Sequence, residues 1–272
     1  MNNQKTGIGF PWLFFGLTFA WSWFFWVPTA LSENGIIQLP SALAYVLANG
    51  KPAAWGPLIA ALVIGFRQAG RAGVTGIFKS MCRVKIGWRW YAVALLLLPL
   101  IVGAATLIAL AFGEALPVTE ALTNPITIPL AFVWIFFLGG PLQEEAGWRG
   151  TSTPAMQEKI GALGASLVTG LFWGLWHLPL FYMPREEIYY NQPIWGLIGS
   201  TVLLSVLLSW VYNNTGRSLF AVMLMHTTYN WSNFLFTGLS TDTGGLAYFM
   251  LLAGTAAAVV SIFGGKTLVR AR

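Results

Sequence analysis

The stretch RWYAVALLLLPLIVGAATLIALAFG, residues 89–113, decides the fold. No charged side chain stands between Arg89 and Glu114. A helix crosses a hydrocarbon core of about 30 Å with roughly 20 mostly apolar residues, and this run is long enough to do so. Its apolar residues are continuous. An alternating pattern would mark the strands of a membrane barrel. The composition around it agrees. Of 272 residues, 56% are hydrophobic and 9% charged, with 14 Trp, 19 Phe and a mean hydropathy of +0.67. A soluble domain carries about 25% charged residues. That balance excludes a soluble enzyme, a disordered chain and a nucleic-acid module, because so much apolar surface has no aqueous hiding place. The single cysteine, Cys82, excludes an intrachain disulfide and a multi-cysteine metal centre.

Working outward from that run, eight spans are expected, over roughly 10–31, 41–66, 89–113, 126–148, 162–182, 194–213, 217–236 and 245–264. The first follows MNNQK and runs apolar from Phe10 to Leu31, too long for a signal-peptide core, so it is read as retained. The second is interrupted by Lys51-Pro52 and Gly56-Pro57. It is read as kinked or partly re-entrant, with Ala53 to Phe66 as its apolar core. The linker 67–89 holds Arg67, Arg71, Lys79, Arg83, Lys85 and Arg89 with no acid, which makes it cytoplasmic. Eight spans with both termini inside then put 13 of the 15 Lys and Arg on that side, leaving Lys51 and Arg185 outside. The net charge of +6 is read as those loops. The expected architecture is all-α: a polytopic helical bundle forming one integral membrane domain over 1–272, with a motif-bearing core at 142–236. The basic linker and the C-terminal KTLVRAR are read as topology signals only, in preference to a contact with anionic lipid headgroups. The run Trp21-Ser22-Trp23-Phe24-Phe25-Trp26 is read as lipid-facing or interfacial.

Ionisable groups are costly inside a bilayer and mark function there. Three places carry them. Span four ends in Gln143-Glu144-Glu145-Ala146-Gly147-Trp148-Arg149, span five carries His177, and span seven carries His226 and Asn230. Residues four apart share a helix face, so Glu145 pairs with Arg149, and His226 and Asn230 enter one cavity. Glu144 lies about 100° around the helix from Glu145. Ser166, Gly170 and Gly174 form a small-residue stripe that admits a neighbouring helix near His177. Two adjacent carboxylates in a low dielectric do not both ionise cheaply. Arg149 holds one as an anion, and the other suits proton transfer. An imidazole shares that work, while a second imidazole and an amide supply donors for an oxyanion. No serine lies in a G-x-S-x-G turn. The chemistry indicated is hydrolysis by an activated water.

At these residues the sequence resembles the CAAX-protease and bacteriocin-processing (abortive-infection) family of intramembrane glutamic endopeptidases. The family pattern E-E-x-x-x-R stands as Glu144 to Arg149, F-x-x-x-H as Trp173 to His177 with Trp in place of Phe, and H-x-x-x-N as His226 to Asn230. The Trp is read as a packing change. The likeness covers about 95 residues, from Leu142 to roughly Phe236. It implies a helical membrane protease whose site lies within the bilayer and opens toward the cytosol, in the cell membrane of a prokaryote. Carried over, Glu144 is the general base, assisted by His177, while His226 and Asn230 form the oxyanion hole. Glu145 and Arg149 orient Glu144 or stabilise the cavity. The substrate is a peptide or protein, prenylated in eukaryotic members, and no cofactor is implied. Other readings stay open. Glu144, Glu145 and Arg149 can be an ion-pair cluster snorkelling at a cytoplasmic helix end, His177 a histidine bound to a carbonyl, and His226 and Asn230 polar glue between helices. One Glu and two His can hold zinc with an open position, and the same groups serve a transporter or a non-catalytic immunity protein.

Overall fold

A computed structural model describes residues 10–49 and 52–270. Lys5, Lys51 and Arg272, which enter the charge tally above, lie outside the described residues. Among those described, all regular structure is helical. In chain order the helices are α1 (Trp12–Glu33), α2 (Ser41–Asn49), α3 (Gly56–Ala69), α4 (Arg71–Met81), α5 (Trp88–Ala111), α6 (Glu120–Thr123), α7 (Thr127–Leu138), α8 (Pro141–Gly147), α9 (Thr153–Trp176), α10 (Ile194–Asn214), α11 (Leu219–Leu235) and α12 (Asp242–Phe263). A π turn, Trp148–Ser152, joins α8 to α9.

Among the described residues, five helical stretches are long and apolar enough to cross a membrane: Trp12–Glu33, Trp88–Ala111, Thr127–Tyr182, Ile194–Asn214 and Asp242–Phe263. The all-helical membrane architecture is as expected, and three of the eight expected spans do not stand as separate long apolar helices. The expected span 41–66 is broken into α2, a 3-10 turn over Pro52–Trp55, and the 14-residue α3. The fourth and fifth merge into the single stretch 127–182, and α11 is only 17 residues long and carries polar groups.

The basic linker is not a loop. Its middle forms α4, which folds back on α3 through Gly70, whose φ of 55° favours glycine. Gly65 and Gly73 meet there, and a Cβ on Gly73 would fall within 2.0 Å of the Gly65 carbonyl oxygen. Ser80 donates to the Arg217 carbonyl at 2.6 Å, Ser218 donates to the Arg83 carbonyl at 2.6 Å, and Arg83 donates to the Gly216 carbonyl. The linker thus holds the α10–α11 turn in place. Cys82 caps α4 and is exposed.

The small-residue stripe on α9 packs against α10 as expected. A Cβ at Gly170 would lie 2.5 Å from the Val202 Cα, and one at Gly174 would lie 2.9 Å from the Ile198 Cα. Thr201 donates to the Gly170 carbonyl at 3.0 Å across this seam. The helix itself breaks at Gly161, where φ is 72°. The freed amides of Ala162 and Leu163 are taken by the carbonyls of Lys266 and Gly265, each at 2.8 Å. Leu268 is fully buried. The start of KTLVRAR therefore closes a helix terminus as well as carrying charge. Within the aromatic run of α1, Trp23 donates its indole N–H to the Trp176 carbonyl at 3.0 Å, and Trp26 packs on Trp176 with ring centroids 4.7 Å apart. Trp21 and Phe24 are exposed, at 38% and 71%. One side of the run lines the protein interior and the other faces outward.

Short α8 lies at the centre. It packs against α3, α7 and α11, and every residue except Leu142 is buried. Gly147 permits the α3 approach, since a Cβ there would sit 2.6 Å from the Pro57 Cβ.

Candidate active site

The chain enters α8 through Gly140, whose φ of 117° is one that an L side chain rarely adopts. Pro141 follows with its φ already set for the first helical position. Gln143 then locks the turn. Its Oε1 accepts from the Gly140 amide at 3.2 Å, and its Nε2 donates to the Phe137 carbonyl at 2.7 Å. Gly140 also makes room for chemistry. A Cβ there would stand 2.5 Å from Glu144 Oε1 and 3.9 Å from Asn230 Nδ2. One point in space thus borders both a carboxylate from α8 and an amide from α11.

Glu144 and Glu145 diverge as their helical positions require. Glu144 Oε2 accepts the indole N–H of Trp173 at 2.6 Å. Glu145 Oε1 accepts from Arg149 Nη1 at 3.0 Å and from His226 Nδ1 at 2.7 Å. The side chains of Glu145 and Arg149 are 0% exposed. The acid–base pair therefore lies in the interior and not at a snorkelling helix end, and Glu145 contacts both Arg149 and His226. Arg149 additionally lies over the Trp173 ring, with its Cζ 4.4 Å from the centroid. At the π turn beyond Arg149 the Trp148 carbonyl accepts the Thr153 amide and also the Thr153 hydroxyl, at 2.9 Å, and Thr151 donates its hydroxyl to the Ala146 carbonyl at 3.1 Å. Such single-turn bulges commonly re-aim side chains at functional places.

His177 stands at the very end of α9, not within it. Its Nδ1 lies 2.8 Å from the Trp173 carbonyl oxygen. A carbonyl only accepts, so Nδ1 carries the proton and the Nε2 lone pair is left to receive one. The same reasoning applied to His226 has a different result. Its Nδ1 donates to a carboxylate, so donation from Nε2 as well requires the imidazole to hold both protons. Glu145 is the counter-charge for that form. Asn230 spends one amide proton on the Gly139 carbonyl at 3.2 Å and keeps a second.

The four expected residues are therefore brought to one locality. Trp173 touches Glu144 and His177 directly and lies edge-on to His226, with ring centroids 5.2 Å apart. Gly140 adjoins Glu144 and Asn230. Sequence reasoning missed two neighbours. Trp173 was assigned to packing alone. Tyr189, from the segment between α9 and α10, sits 5.9 Å from the His177 ring, centroid to centroid. Burial and the nearby Glu144 carboxylate hold its phenol well above the ordinary tyrosine range, so it remains a proton donor. No periodicity or motif marks it. Among the described residues, no three His, Cys, Asp or Glu side chains gather at metal-binding reach. A separate cavity of about 590 Å³ lies beside the π turn, between Ile64, Gln68, Ile77, Thr151 and Lys159, and is lined by none of the four.

Residues 125–232 match the family model described as type II CAAX prenyl endopeptidase Rce1-like. The chain is also 26% identical over 145 residues to CAAX prenyl protease 2 of Methanococcus maripaludis, an alignment covering 51% of this chain and 53% of that one. It thus spans about half the length of the curated relative it matches. The segment 125–232, which contains the buried acid pair, His177, His226 and Asn230, is the part of the chain that is similar to this family.

Proposed function

We propose that this protein is an intramembrane endopeptidase that cleaves a peptide bond with a water molecule activated by Glu144 and His177. The observation that carries the reading is the gathering of Glu144, His177, His226 and Asn230 around Trp173 and Gly140, inside helices otherwise nearly free of charge. Buried ionisable groups cost too much to persist there without a use.

In this reading the free oxygen of Glu144 accepts a proton from water while the Nε2 lone pair of His177 orients the same molecule. The hydroxide attacks the scissile carbonyl, and the oxygen of the tetrahedral intermediate becomes an anion. Asn230 supplies its second amide proton to that oxygen. His226, oriented by Glu145 through Nδ1, presents Nε2 to the same oxygen. Glu144 returns its proton to the departing amine as the C–N bond breaks. No covalent enzyme intermediate is needed.

The substrate class is a membrane-associated protein cut near its C-terminus, with a prenyl group where the substrate follows the printed name of the relative. The setting is the cell membrane of a prokaryote. The Lys and Arg distribution supports cytoplasmic termini and a site reached from the cytosol. The test is cleavage of prenylated and unmodified peptides by the purified protein, with the cut located by mass spectrometry. Glu144→Gln, His177→Ala and His226→Ala should each abolish cleavage while the protein stays folded. Intact cleavage by Glu144→Gln would remove Glu144 as the base.

A further inference from the structure

Trp173 replaces the Phe of the F-x-x-x-H pattern, and the larger bicyclic ring brings one polar group, an indole N–H. That group is used. It donates to Glu144 Oε2 at 2.6 Å, a short distance typical of a bond to a charged acceptor. The same residue's carbonyl takes the Nδ1 proton of His177 at 2.8 Å, its ring face carries Arg149, and its edge meets His226. With 3% of its surface exposed, it sits among all the polar groups of the site except Asn230. A phenylalanine would keep the carbonyl and the ring face but leave Oε2 without its donor.

The consequence concerns which carboxylate oxygen reacts. Oε2 is occupied by the indole, while Oε1 lies toward Gly140 and Asn230, where a Cβ on Gly140 would stand 2.5 Å from it. A glutamate has three rotatable bonds, and a fixed bond at one oxygen removes most of that freedom. We propose that Trp173 is a positioning residue whose indole N–H fixes Glu144 so that Oε1 faces the reacting water, while its carbonyl fixes the tautomer of His177. The proposal rests on the reading of Glu144 as base. Misplacing a base by about 1 Å costs around a hundredfold in rate, so the indole bond is worth about ten- to a hundredfold in kcat.

The experiment compares wild type, Trp173→Phe and Glu144→Gln in two readouts. The first is steady-state cleavage. Trp173→Phe should lower kcat by about ten- to a hundredfold with KM nearly unchanged, since the ring face and the carbonyl remain. A purely structural loss would reduce the folded fraction and leave kcat per folded molecule alone. The second is the set of indole N–H resonances of protein labelled with ¹⁵N-tryptophan in detergent micelles. One resonance should vanish in Trp173→Phe, and the same one should make the largest upfield move in Glu144→Gln, where a neutral oxygen replaces the carboxylate. Where Trp173→Phe does not fold, a single indole resonance moved upfield well beyond the others in Glu144→Gln still reports the bond. An inert Glu144→Gln beside a Trp173→Phe with wild-type kcat would overturn the positioning role alone. So would an indole spectrum unmoved by Glu144→Gln. A fully active Glu144→Gln would overturn the base assignment itself, and this proposal with it.

Discussion

The Arg149→Ala substitution tests the buried network most directly. Glu145 Oε1 accepts from two donors, Arg149 at 3.0 Å and His226 at 2.7 Å, and the first pair is wholly shielded from solvent. Removing the guanidinium leaves a buried carboxylate with one partner and strips the cation from the Trp173 face. Breaking a buried ion pair from one side costs about 3–5 kcal/mol. A chain of this size loses roughly 2–4 °C of Tm per kcal/mol, so a fall of about 10 °C is expected. Thermal unfolding in a mild detergent, followed by tryptophan fluorescence, measures it. The decisive comparison is the double variant Glu145→Gln/Arg149→Met, which removes both charges and keeps volume. It should be more stable than Arg149→Ala, because no buried carboxylate is left without its guanidinium. A Tm for Arg149→Ala within about 2 °C of wild type, or a double variant whose loss equals the sum of the single losses, would refute the argument.

Gly140→Ala should cut cleavage by about a hundredfold, measured as kcat of the purified variant, because its Cβ requires a strained φ and collides with Glu144 Oε1. Full activity in that variant would mean that the turn does not set the carboxylate. Hydrolysis should continue at the wild-type rate in a tight zinc chelator, with no gain on adding zinc. Loss under chelation and recovery with zinc would favour the metal-dependent alternative.

The legible part of this fold was the part governed by hydropathy and local spacing. Residues 89–113 became α5 almost to the residue because nothing in them competes with a long apolar helix. The i, i+4 relation of Glu145 and Arg149, and the small stripe ending at Gly174, are likewise local and appear as expected. Hydropathy does not distinguish lipid from protein interior, so the aromatic run of α1 was assigned to the bilayer when Trp23 and Trp26 pack on Trp176. Nor does it register a seven-residue helix such as α8, which takes its stability from burial on several sides. The helical break at Gly161 depends on carbonyls from Gly265 and Lys266, about a hundred residues away in sequence. The basic linker reads as a topology signal from its charges, while the Ser80 and Ser218 hydroxyls that tie it to the α10–α11 turn carry no charge to count.

The adjacent carboxylates show how far local reasoning reaches. Sequence spacing alone separates Glu144 from Glu145 by about 100° around a helix, but it does not say which donors each will meet. The structure divides the donors by charge. Glu145 receives a guanidinium and an imidazole, and Glu144 receives a neutral indole. In the proposed mechanism the two sets of contacts serve two tasks: Glu145 orients His226 through Nδ1, and Glu144, fixed at Oε2 by Trp173, keeps Oε1 for the reacting water. One turn of α8 supplies both because its neighbours come from different helices, α9 for Glu144 and α11 for Glu145.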